Sequence, residues 1–193
     1  MSNIKPTYYV LTFVIFFVVS FSGFLLIPKF DVNINLVEPK SYTPSYNNKN
    51  GEEIVLVFIG SPNCSWSTKD SLKTALRASI SDLHSYTIKN NYSYDVIGVS
   101  ANWDVSSGTD YLTNITKFDE IIVGNNWLNS AGIKYFWGEL AGKPSLPQVI
   151  VYKRSIRDFE SRNMRIENEE LLARKIGHEI YDWSSDGSPL PKY

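Results

Sequence analysis

What most limits the fold of this chain is a run of six apolar residues, Ile54-Val55-Leu56-Val57-Phe58-Ile59, that stops at Gly60-Ser61-Pro62. β-Branched side chains dominate the run and it is too short for a free-standing helix, so it predicts a strand buried on both faces. The only cysteine among 193 residues, Cys64, follows at once. Beyond it, Ser65, Ser67 and Thr68 are each able to cap a helix whose apolar positions recur at Leu72, Leu76, Ile80, Leu83 and Thr87. The sole thiol is therefore expected where a buried strand ends and a helix begins. Unpaired backbone N–H groups and the positive end of a helix dipole favour thiolate over thiol at such a place.

Downstream, Tyr94 to Ser100 reads as a second strand, and a strand, a crossover helix and another strand imply a parallel pair. The chain then leaves the sheet through Ala101-Asn102-Trp103-Asp104 at the same end as Cys64, because parallel strands share their carboxyl edge. Trp103 and Asp104 are thus candidates for the rim of a site. The plainer alternative has Trp103 covering the core and Asp104 capping a helix. Residues 101–142 read as a helical insertion, with helices near 108–117 and 127–140. Its aromatics, Phe118, Trp127, Tyr135, Phe136 and Trp137, either pack on the sheet or line a partner groove. Gln148 to Lys153 gives a third core strand. Ser155 to Arg162 is expected to return antiparallel through a turn near Arg154, which makes the sheet mixed. Asn168, Glu169 and Glu170 suit the start of a last helix whose buried face is Leu171, Leu172, Ile176 and Ile180. Residues 184–193, with Gly187, Pro189 and Pro191, read as a frayed tail.

Two stretches carry a family resemblance. VFIGSPNCSWS resembles the strand and active-site turn of the thioredoxin-like superfamily, and Lys143-Pro144-Ser145-Leu146-Pro147-Gln148-Val149-Ile150-Val151-Tyr152 resembles that family's cis-proline entering a core strand. The resemblance covers residues 52–183. It implies an α/β fold, the thioredoxin-like three-layer α/β/α arrangement with a central mixed sheet. It also implies a site built from Cys64, Ser67 and Pro147, with the peptide bond between Leu146 and Pro147 facing Cys64. Leu146, Trp66 beside the thiol and Trp103 on the shared carboxyl edge are candidate substrate-contacting residues. The chain departs from the dithiol pattern at Ser67, which stands where the resolving cysteine would be.

Amino-terminal to this domain, Tyr8 to Ile27 is uncharged and lies between Lys5-Pro6 and Pro28-Lys29. At about 1.5 Å per residue it matches the roughly 30 Å hydrocarbon thickness of a bilayer. It reads as one N-terminal transmembrane helix within residues 1–28, followed by a tether over 29–51 in which Phe30 to Val37 alternates weakly. A cleaved signal peptide is the competing reading, but the apolar run continues through Phe24 to Ile27 and only Lys5 precedes it. The folded domain is expected outside the cytoplasm, on the periplasmic side if the source is bacterial.

Composition narrows the chemistry. A net charge of −1 provides no field for nucleic acid, and one cysteine with two separated histidines, His84 and His178, offers neither a disulfide framework nor a metal set. No cofactor is expected. Sequons at Asn63, Asn91 and Asn114 are about as many as chance supplies. Two roles fit the lone thiol. One is a monothiol site that forms mixed disulfides with protein thiols or disulfides, or with a low-molecular-weight thiol, and needs an external thiol to clear them. The other is a catalytically degenerate binding or scaffold module in which Cys64 is a small apolar residue under Trp66. A peroxidase of the peroxiredoxin type is disfavoured, because Pro62 lies only two residues before Cys64.

Overall fold

The computed structural model describes Phe13, Val14, Phe16, Phe17 and residues 51–138, 140–159 and 163–191. The expected membrane helix over 8–27 and the tether over 29–51 lie outside these residues, apart from Gly51 and the four near the amino terminus, which are helical and exposed. No helix among the described residues is long and apolar enough to cross a membrane. The chain divides into two units, Met1–Ser45 and Tyr46–Tyr193. The second is α/β.

Its first strand, β1 (Gly51–Gly60), holds the apolar run, and Ile54 to Ile59 are fully buried as expected. After a turn comes α1 (Asp70–Asn90), then β2 (Ser93–Ser100), α2 (Val105–Thr113) and a short β3 (Glu120–Ile122). A broken helical stretch follows: a 3-10 turn Asn126–Leu128, α3 (Ser130–Gly132) and a π turn Ile133–Trp137. The chain closes with β4 (Gln148–Phe159), β5 (Asn163–Ile176) and α4 (Glu179–Ser185). The sheet order is β3-β2-β1-β4-β5, with β1, β2 and β3 parallel and β4 and β5 antiparallel to their neighbours. Side-chain alternation sends Ile54, Leu56 and Phe58 to one face, against Leu72, Leu76, Leu83, Leu112, Ile180 and Trp183. Val55, Val57 and Ile59 face the other way, against Ala131, Tyr135, Phe136 and Leu140. Helical segments therefore cover both faces of a mixed sheet, an arrangement compatible with three layers.

Five expectations need correction. The turn near Arg154 does not exist: β4 runs straight through it, because Arg154 pairs with Glu53 of β1 on one side and Glu169 of β5 on the other. The residues assigned to a last helix, Asn168 to Ile176, are strand β5, and only Glu179–Ser185 is helical. A free edge on β4 offers main-chain hydrogen bonds that outweigh helix propensity. The 127–140 helix is broken into short turns, and α2 begins and ends a few residues early. The tail is docked through Leu190: the Trp183 indole Nε1 donates to Pro189 O at 3.0 Å, and Ser188 Oγ lies 3.2 Å from Asp82 Oδ2. A buried indole N–H needs an acceptor, and the tail supplies it. Packing of the insertion aromatics is as the plainer reading had it for Phe118, stacked on Phe58, and for Trp127, Tyr135 and Phe136, whereas Trp137 is exposed.

Candidate functional site

Cys64 lies in the turn between β1 and α1, not in the first turn of α1. The main chain coils before the helix: Cys64 N donates to Ser61 O at 3.1 Å, and Ser67 N and Thr68 N both donate to Cys64 O, at 2.9 and 3.2 Å. The expected capping residues serve this turn instead, and Lys69 begins α1 with no side-chain cap. The thiol is half-buried, and its Sγ lies 3.9 Å from the carbonyl oxygen of Leu146. Leu146 precedes Pro147 through a cis peptide bond, and Pro147 O accepts from Gly177 N at 2.9 Å. The sulfur and the Leu146 carbonyl, 82 positions apart, thus meet, because β1 and β4 are neighbours in antiparallel register with Ile59 opposite Gln148.

Ser67 is fully buried, and in the thiol form its hydroxyl makes no hydrogen bond. The Cys64 sulfur and the Tyr111 phenol both lie within its reach. Partial burial pushes the thiol up, and the Ser67 hydroxyl together with the Ser67 and Trp66 amides outweighs that, so the Cys64 pKa falls below the ordinary thiol value. The thiolate is favoured by donors within its own turn rather than by α1.

Tyr111 completes the wall of the site and was not foreseen. It comes from α2, its hydroxyl donates to Ser67 O at 3.0 Å, and burial raises its pKa against the opposing Ser67 hydroxyl, with the Cys64 charge adding to the rise. Its phenol lies over Gly60, where an added Cβ would sit 2.2 Å from the hydroxyl oxygen. Only glycine leaves room for that approach. The one signal in the sequence was the spacing of Tyr111 and Leu112 along a helix leaving the carboxyl edge of the sheet.

Trp66 is 45% exposed, and Lys69 Nζ lies 3.8 Å from its ring centroid. Trp103 is 66% exposed, so it neither covers the core nor, among the described residues, makes a ring contact with Trp66. Asp104 caps α2 by accepting from Ser107 N at 2.6 Å. The structure therefore brings together Cys64, Ser67, Leu146 and Pro147, leaves Trp66 at the turn's surface, and holds Trp103 on the loop after β2. His84 packs at a tilt against Tyr94 and His178 lies beside Asp182. Among the described residues, no three His, Cys, Asp or Glu side chains converge for a metal ion. Set against known proteins, the chain matches no family model, and no curated protein or solved structure is similar to it.

Proposed function

We propose that this protein is a thioredoxin-like, membrane-anchored monothiol protein that forms mixed disulfides through Cys64. The observation that carries this reading is the meeting of a half-buried thiol, a buried hydroxyl that makes no hydrogen bond among the described residues, and the Leu146 carbonyl. In the reaction, the Cys64 thiolate attacks one sulfur of a disulfide, a Cys64–substrate S–S bond forms, and the other sulfur leaves as a thiolate. No net electrons are gained or lost in that step. Ser67 donates to the thiolate and cannot resolve the product, so an external thiol, from a protein or a small molecule, attacks the mixed disulfide and restores Cys64. The Leu146 N–H has no hydrogen-bond partner among the described residues, so an extended polypeptide can pair with it beside the sulfur. In this reading the uncharged apolar segment 8–27 is the anchor, with the folded unit outside the cytoplasm.

The test is alkylation of Cys64 by iodoacetamide across a pH series. The expected midpoint lies below the ordinary thiol range and moves up in Ser67→Ala. A midpoint at the ordinary value in the unmodified protein, or no shift in Ser67→Ala, refutes an activated thiol. The binding-module alternative rests on the single cysteine of the chain. A full cellular role retained by Cys64→Ser decides for it.

A further inference from the structure

The segment that carries Leu146 against the thiol is held by one side chain, Arg174 of β5. Its Nη1 donates to Gln148 Oε1 at 2.7 Å, and its Nη2 donates to Tyr135 O at 3.2 Å and to Leu140 O. The guanidinium lies flat against Gly142, where an added Cβ would be 2.4 Å from Arg174 Cζ. Gln148 is fully buried and passes the constraint on, its Nε2 donating to Ser145 O at 2.7 Å. Among the described residues no carboxylate pairs with Arg174, and burial lowers its pKa. A half-buried cation spent wholly on carbonyl and amide oxygens pins main chain, and the main chain it pins is 140–148, which ends at the Leu146 contact with Cys64.

We infer that Arg174 is a positioning residue that, through Gln148, sets the Gly142–Pro147 segment relative to Cys64 and so controls how well a polypeptide disulfide, as distinct from a small one, is presented to the thiol. The inference rests on the reading of Cys64 as a nucleophile. A small disulfide needs only an exposed sulfur. A polypeptide must also seat its backbone along Leu146, and an error near 1 Å in that seat costs up to about a hundredfold in rate.

The experiment compares two reagents with the same leaving group on the full chain: dithiodipyridine, and an extended peptide whose cysteine carries a pyridylthio group. Both release pyridinethiol as the Cys64 disulfide forms. Arg174→Gln removes the donors to Tyr135 and Leu140. Gln148→Met, close in volume and uncharged, breaks the link from Arg174 to Ser145 without burying a carboxylate, so it decides the matter if Arg174→Gln does not fold. The expected result is a loss of about tenfold or more in the peptide rate, partial recovery in Arg174→Lys, and an unchanged dithiodipyridine rate and alkylation pH profile. Equal loss toward both reagents, or loss toward neither, overturns the inference. If the unsubstituted protein reacts with neither reagent, the proposed function falls. Amide exchange then judges Arg174 alone: faster exchange at Gly177 in Arg174→Gln, with β1 unchanged, upholds the positioning role, and unchanged exchange overturns it.

Discussion

At the end of β1 far from Cys64, the sheet buries an acid that ought to cost the fold stability at neutral pH. The Asp95 side chain is 12% exposed, and its closest cation, Arg154, lies 3.5 Å away while pairing more tightly with Glu53 at 2.5 Å. Burial, with Glu53 next, raises the Asp95 pKa from 3.8 to about 6; Arg154 opposes, and Asp119 and Glu120 add to the rise. A folded-state pKa above the unfolded one means that this group's stabilising contribution is complete below about pH 4 and is lost as the pH rises through 6. The difference of about 2 pKa units corresponds to an upper figure of about 3 kcal/mol at roughly 1.4 kcal/mol per unit. Screening through the residual solvent contact of the carboxyl reduces it to about 1–2 kcal/mol. Asp95→Asn keeps the shape and removes the charge. It is expected to raise Tm by about 3–6 °C at pH 7 and by nothing at pH 4, with the gap opening between pH 4 and 6. Urea or thermal unfolding at four pH values in that range measures it. A substitution effect that is constant with pH, or a destabilised Asp95→Asn at pH 7, refutes the reasoning.

Two further outcomes follow from the packing of the unit. Gly60→Ala drives a methyl into the Tyr111 hydroxyl and is expected to cost about 2–3 kcal/mol, together with a shift in Cys64 alkylation, read by thermal unfolding and by the iodoacetamide series; an unchanged Tm contradicts the close approach. Trp183→Phe removes the donor to Pro189 O and is expected to cost about 1 kcal/mol and to speed exchange at Ser188, whose N–H donates to Trp183 O; full protection of that amide contradicts a tail docked through the indole.

What could be read in advance was local in the chain. The buried strand of Ile54 to Ile59, the helix that buries Leu72, Leu76 and Leu83, and the short apolar stretch that makes β2 each follow from residues within one element. The stretch Glu169-Glu170-Leu171-Leu172-Ala173-Arg174-Lys175-Ile176 could not be assigned that way. Its apolar residues fit a helix face, and they fit a strand of which Leu172 is buried while Arg174 turns to the opposite face. The deciding partner, the free edge of β4, is supplied by another part of the chain. Tyr111 and Arg174 escaped for the same reason: an aromatic on an amphipathic helix and an arginine in a charged run carry no mark of the carbonyls they bond.

The sequence by itself determined that one thiol follows a buried strand, that a serine stands three residues on, and that Leu146-Pro147 opens a later apolar strand, because these are matters of order and spacing. Only the tertiary structure decided that the Leu146 carbonyl lies 3.9 Å from the sulfur, that Ser67 is buried, and that Tyr111 and Arg174 brace the two sides. Hydrogen bonds and close packing act over a few ångströms, and the residues that make them here come from β5, α2 and the β1–α1 turn, which only the pairing of the sheet brings within reach.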